Sequence, residues 1–320
     1  MQLLDQNLTA IEIANDVGDT VCHVLDSDMI NAANAALAIN RPLLIWGEPG
    51  IGKSQLAKAV AKQLQRPFLH FVADARTESR DLLWHFDAVA RLAEAQVRRE
   101  HDQVTDALAV ENFIVPGSLW WALDWQSAQP LAGRCKRKAP DTSGCDPANG
   151  VVVLIDEIDK ADTDVPNGLL EALGASRFQP QGRDEPVECN GVRPLVMVTT
   201  NEERSLPDAF VRRCLSLHLA FPEGEEAQQD FLVKRAEQNA RHFPALDSSV
   251  FQEAAAMLVE DRQQAKGRNF YPLPGQAEYF DMLRGVQRLS VQTGKSASDL
   301  ILELRKFTYR KHPGFHAGLL

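Results

Sequence analysis

An α/β fold built on a parallel sheet, followed by a smaller all-helical part, is predicted by three features of this 320-residue chain. Five short runs rich in β-branched and aliphatic residues recur, and continuous apolar runs suit strands covered on both faces. Helical stretches separate the runs, which is the alternation of an α/β domain. After Pro222 the strand-like runs stop and helical periodicity takes over.

In chain order, residues 27–39 read as a capped helix leading into a first strand, 43–46. Next come Gly47-Glu48-Pro49-Gly50-Ile51-Gly52-Lys53-Ser54, then Gln55 and a helix through residue 62. The second strand is 68–72. Residues 79–101 are amphipathic, with Leu82, Leu83, Phe86, Val89, Leu92 and Val97 approximating one face. Residues 113–123 read as a hairpin-like and helical piece, and 126–150 as an exposed loop rich in turn formers. The third strand, 151–155, ends in Asp156 and Glu157. A helix is expected over 162–173 and a β-hairpin over 178–192. The fourth strand, 195–199, runs to Thr200 and Asn201; a helix over 206–213 and a fifth strand, 215–219, follow. Beyond Pro222, helices are expected at 225–242, 247–264, 274–293 and 296–310, the last with Leu300, Leu304 and Phe307 on one face. Two domains result: 1–222 and 223–320.

The formal charge is 34 − 44 = −10. Such a chain has no general affinity for nucleic acid or anionic membranes. No run approaches the roughly 18 apolar residues of a membrane span. The mixed, acidic first 28 residues lack the pattern of a signal peptide. Five scattered cysteines without a C-x-x-C pair fit free thiols in a reducing cytoplasm.

The segment 47–54 has the spacing G-x-x-x-x-G-K-S between a strand and a helix. Glycines let backbone N–H groups curl round a phosphate, and the helix N-terminus adds its positive dipole end. Lys53 can reach the β- and γ-phosphates, and Ser54 can ligate Mg²⁺. The chain is therefore expected to bind a nucleoside triphosphate along Gly47–Gln55. Side chains at the carboxyl end of a parallel strand face the ligand crevice. Asp156 suits Mg²⁺ and Glu157 suits activation of a water; the plainer alternative is a solvated acid pair. Asn201 either orients that water or caps the next turn. Arg212 and Arg213 are either surface charge or an arginine finger that neutralises a transferred phosphoryl group. Trp120, Trp121 and Trp125 read as packing rather than base stacking.

These segments, Gly47–Ser54, the acidic strand, Thr199-Thr200-Asn201 and Leu206 to Cys214, resemble the AAA+ ATPases in order and spacing. Within that class they resemble the MoxR-like branch, with its CoxD-like members. The likeness spans about residues 25–310. It implies a P-loop core with sheet order 5-1-4-3-2 and a helical lid at 223–320. It makes 79–150 a helix-2 insert and about 178–194 a hairpin before the sensor-1 strand. It gives ATP as substrate and Mg²⁺ as cofactor. Lys53 and Ser54 fall in the first nucleotide motif, Asp156 and Glu157 in the second, and Asn201 at sensor 1. Arg213 aligns with the finger, with Arg212 as runner-up. The basic sensor-2 position falls on Leu273, and Arg268 is the candidate substitute. The likeness further implies a homo-oligomeric, hexameric ring that remodels a separate protein. A partner with a von Willebrand factor A domain is expected, contacted through residues 113–123 and the basic loop 134–138. Two rivals stand beside this reading: an NTP-driven motor of a nucleic-acid restriction system, and a slow nucleotide-gated switch.

Overall fold

The computed structural model describes residues 2–7, 10–14, 20–98, 108–181 and 183–316. It divides into two compact units.

The first unit comprises the described residues of Met1–Leu8, with Asp26–Trp46 and Leu56–His218. Its centre is a five-stranded sheet of β1 (Leu43–Gly47), β2 (Phe68–Val72), β3 (Val152–Asp156), β4 (Leu195–Thr200) and β5 (Leu215–Leu219). The order is β5-β1-β4-β3-β2, the expected 5-1-4-3-2. Leu44, Ile45, Val153, Ile155 and Val198 are wholly buried, which is why β1, β3 and β4 read as continuous apolar runs. Parallel pairing sets Thr200 opposite Trp46, Val198 opposite Ile155, and Val72 opposite Asp156. The carboxyl ends of these four strands therefore stand level.

Helix α1 (Ser27–Ile39) starts where the Asp26 side chain accepts from the Met29 N–H, and it ends at a left-handed Asn40. Helix α2 (Lys53–Gln63) follows the phosphate-loop sequence. Between β2 and β3 the structure departs from the amphipathic reading of 79–101. A 3₁₀ turn (Ser79–Leu82) leads to a short strand, Trp84–Phe86, which pairs antiparallel with Ile114–Pro116. Only then does helix α3 (Ala88–Arg98) begin. Leu82 is buried, but Val89, Leu92 and Val97 are exposed, so the expected single face does not form. A cross-strand pairing some thirty residues away in sequence overrides the local period. Residues 99–101 of that expectation lie outside the described residues.

Helices α4 (Ser118–Leu123) and α5 (Trp125–Arg134) follow. The second takes the first part of the expected loop 126–150, which persists from Cys135 onward: Asp124 caps the helix by accepting from the Ser127 N–H at 3.1 Å, and Ala128, Leu131 and Ala132 are buried. Residues 162–173 form two short helices, Asp164–Gly168 and Leu170–Ala175. The break falls at Leu169, directly after Gly168, where a Cβ would lie 2.6 Å from the Ser79 hydroxyl. The hairpin before β4 is present as Arg177–Phe178 against Val187–Glu188.

Trp120 is fully buried in this unit, meets Phe178 edge-on at 5.6 Å, and donates its indole N–H to the Ser127 hydroxyl at 2.9 Å. Trp120→Ala should therefore lower unfolding stability by about 3–5 kcal/mol. Urea denaturation followed by circular dichroism checks this; an unchanged midpoint would contradict the packing role.

The second unit comprises the described residues of Thr9–Leu25, with Gly47–Gln55 and Leu219–Leu320. An antiparallel hairpin, Ala10–Ala14 with Thr20–Val24, buries Ile11 and Ile13. The sequence reading did not anticipate it. The bundle contains α6 (Glu225–Gln238), α7 (Ser248–Gly267), α8 (Gln276–Thr293) and α9 (Ala297–Thr308). Two buried tyrosines tie it to α7: Tyr279 donates to the Phe251 carbonyl at 3.0 Å and Tyr309 to that of Ala254 at 3.2 Å. Asp261, wholly buried on α7, is paired with Arg305 and Arg310. Leu300 is buried on α9, whereas Phe307 is exposed and leaves the expected apolar face. Among the described residues no helix is long and apolar enough to cross a membrane, and all five cysteines are free thiols.

Candidate functional site

The level strand ends of the first unit gather most of the polar side chains that sequence reasoning singled out there. Thr199 is wholly buried in β4. Its hydroxyl accepts from the Glu157 N–H at 2.9 Å and donates to a carboxylate oxygen of Asp156. The other Asp156 oxygen lies 3.0 Å from His70 Nε2, on β2. Two flanking strands thus hold Asp156 from either side.

Glu157 follows immediately and leaves the strand conformation. Its backbone is left-handed, φ 57° and ψ 45°, which costs a non-glycine residue about 1–2 kcal/mol. Such strain persists where neighbouring contacts fix it, and it concentrates at functional sites. Asn201 Nδ2 donates to one Glu157 oxygen at 3.3 Å, and Lys160 Nζ to the other at 2.6 Å. That hydrogen bond to Glu157 holds the Lys160 ammonium above the usual lysine range. Asp159, 2% exposed, accepts from the backbone N–H groups of Asn201 and Glu203 at 3.2 and 2.9 Å. It fixes the turn that delivers the Asn201 amide. A carboxylate held in this way, beside a second one locked in place, can accept a proton from water without first reorganising.

The phosphate-loop sequence belongs to the second unit. Gly50 and Gly52 adopt φ of +78° and +102°, conformations that L side chains rarely take. A Cβ on Gly50 would also lie 2.9 Å from the Ala277 methyl. Lys53 opens α2, is 7% exposed, and donates to the carbonyls of Gly47 and Glu48 at 2.6 and 3.1 Å. The loop therefore has the glycine-dependent curl and the lysine that a polyphosphate requires. Ser54 and Asp156 carry hydroxyl and carboxylate oxygens, the donor type that suits Mg²⁺.

Arg212 and Arg213 are both exposed at the end of the short helix Asp208–Val211. Arg213 Nη1 donates to the Ala209 carbonyl at 3.1 Å. Arg268 is exposed at the end of α7. A different arginine of α7 engages the loop: Arg262 Nη2 donates to both carboxylate oxygens of Glu48, at 2.7 and 2.6 Å.

Asp156, Glu157 and Asn201 are thus brought together in one unit, and Gly47 to Gln55 form one continuous loop and helix start in the other. Residues 113–123, expected as a contact surface, are largely interior: Phe113 is 8% and Trp120 0% exposed. Arg134, Lys136, Arg137 and Lys138 are exposed. Sequence reasoning missed Thr199, Lys160, Asp159, His70 and Arg262. Asp159 and Lys160 follow the acid pair after Ile158, so a helical turn after the strand was the available signal for them. No local signal marks Arg262, which lies 214 residues from Glu48.

No curated protein matches the chain. Among solved structures it is similar to a proposed ATPase from Cytophaga hutchinsonii, at 13% identity and a TM-score of 0.37, over 87% of this chain and 79% of that one. It is also similar to a RuvB variant from Thermotoga maritima, at 16% identity and a TM-score of 0.46, over 88% and 68% of the two chains. The family model for the AAA domain, dynein-related subfamily, matches residues 42–214, from the start of the phosphate-loop strand past Asn201 and both arginines. With more than half of its length under that match and the sheet order of an AAA+ core, this chain belongs to the dynein-related AAA domain family and is an ATPase.

Proposed function

We propose that the chain is a Mg²⁺-dependent ATPase of the MoxR-like branch that assembles into a ring and remodels a separate protein. The observation that carries the reading is the grip of Asn201 and Lys160 on Glu157, beside an Asp156 fixed by Thr199 and His70. Residues 1–222 serve as the nucleotide-binding domain and 223–320 as the lid. Backbone N–H groups of residues 47–54 and the Lys53 ammonium hold the phosphates, and Gln55 continues the site into α2. Ser54 and Asp156 would hold Mg²⁺, which neutralises phosphate charge when bound. Glu157 accepts a proton from the attacking water. Asn201 keeps its carboxylate aimed. Arg268, exposed at the end of α7, is the candidate for the sensor-2 role.

Arg213 supplies the finger to a neighbouring subunit, in keeping with its exposure. A finger given in trans needs a head-to-tail interface, and such interfaces close into rings. Six subunits follow from the MoxR-like likeness. The insert offers its partner the exposed Val89, Leu92 and Val97 and the basic Arg134, Lys136, Arg137 and Lys138. A von Willebrand factor A domain is the proposed partner, and its metal site would be the part remodelled.

The test is affinity capture from native cell extract with ATP present, comparing Glu157→Gln with Lys53→Ala. A variant that binds ATP and does not hydrolyse it should retain the partner, so a protein should be enriched only with Glu157→Gln. Recovery of nucleic acid without an enriched protein would defeat remodelling and favour a restriction motor.

A further inference from the structure

The segment Gly47 to Ser54 carries one base, Lys53, and one acid, Glu48. A site for a polyanion thus includes a carboxylate of its own. Arg262 on α7 answers that carboxylate. Its side chain is 7% exposed, and one nitrogen donates to both Glu48 oxygens. The other terminal nitrogen donates to the Pro274 carbonyl at 2.9 Å, and the guanidinium lies 4.6 Å from the centre of the Phe221 ring. Three independent contacts therefore set the position of a buried cation whose ion-pair partner is a phosphate-loop acid. Burial of an arginine is costly unless the charge is matched, and the local match is Glu48.

We infer that Arg262 is an electrostatic positioning residue for the triphosphate: it cancels the charge of Glu48, so that the loop meets its ligand with the net positive charge of Lys53. Without Arg262, Glu48 stands as an unmatched anion in the loop. Repulsion then grows with the charge of the ligand, so ATP suffers more than ADP. It also weakens as salt screens it. Arg262 does this through the loop acid, and no contact with phosphate is required of it. The inference rests on the reading that residues 47–54 hold ATP.

Equilibrium titrations with ATP and with ADP, in the full chain and at two salt concentrations, test it. Arg262→Gln should raise the Kd for ATP about tenfold or more, equal to about 1.4 kcal/mol, and that for ADP by less. Arg262→Lys keeps the charge and should stay within about threefold of wild type, since a pure charge effect tolerates the lost fork geometry. Removing the acid as well, in Glu48→Gln/Arg262→Gln, should restore the ATP Kd to within about threefold of wild type. Equal losses for ATP and ADP with no recovery in the double variant would overturn the inference and leave a packing role. If Arg262→Gln fails to fold, the double variant decides: folded by circular dichroism yet still more than about tenfold weak for ATP, it overturns the inference. A wild-type protein that binds no ATP overturns the nucleotide reading itself, and this result is distinct from the others.

Discussion

Glu157→Gln should bind ATP with wild-type affinity yet hydrolyse it about two orders of magnitude more slowly, or slower still, the usual contribution of a positioned base. The amide keeps the shape of the side chain and loses its basicity. It can still accept from Asn201 Nδ2, which now reaches Glu157 Oε1 at 3.3 Å. The ion pair with Lys160 is lost, but that pair lies at a half-exposed position, with the two side chains 41% and 32% exposed. Such pairs contribute up to about 1 kcal/mol, so folding should survive. The left-handed backbone at residue 157 strains Gln and Glu alike. The proposed phosphate site is residues 47–54, none of which the substitution replaces. Steady-state turnover alongside an ATP titration checks both halves. Near-normal turnover in a variant that binds ATP would remove Glu157 from its role.

The strands β1, β3 and β4 were legible because burial on both faces leaves an uninterrupted apolar run, as in Val152–Asp156, where only the last residue is partly exposed; β2 and β5 keep their aliphatic residues but expose His70, Val72, Ser216 and His218. The bundle helices were legible from their period and their caps, such as Asp247 accepting from the Val250 N–H ahead of α7. What failed was pairing at a distance. The strand Trp84–Phe86 exists because Ile114–Pro116 lies beside it, and nothing local distinguishes it from the start of an amphipathic helix. The strand Ala10–Ala14 was readable in principle, since Ile11 and Ile13 are buried on either side of Glu12, but five residues give a weak signal. In the site, a strand that ends in two acids and another that ends in an amide located the chemistry. The groups that aim it were hidden for physical reasons. Thr199 reads as part of a buried strand, and its hydroxyl matters only because β3 runs alongside. His70 sits in a strand whose partner begins some eighty residues later. Arg262 reads as an ordinary charge in a polar stretch of helix, and only the fold shows it buried against Glu48.

Arg213→Ala should bind ATP and hydrolyse it roughly 10³–10⁵-fold more slowly, the contribution of an arginine finger. In this chain Arg213 is exposed and donates a hydrogen bond to a carbonyl of its own helix, at Ala209. Arg213 is thereby left able to extend toward a neighbouring subunit. Arg212 is exposed beside it, so each must be replaced separately. A finger supplied in trans makes a demand that an internal residue does not. Lys53→Ala removes the ammonium proposed to bind phosphate but leaves Arg213 intact on the same subunit. Arg213→Ala leaves the phosphate loop intact and lacks the finger. Each variant alone should be nearly inactive. Mixed together, they create interfaces at which an intact loop meets an intact arginine, and part of the activity should return. The recovered rate should follow the mixing ratio, with a maximum between the two pure variants. No recovery at any ratio, with both variants shown to assemble, would place the finger in cis or elsewhere. Full activity of Arg213→Ala alone, or a loss confined to Arg212→Ala, would show that the wrong arginine had been chosen.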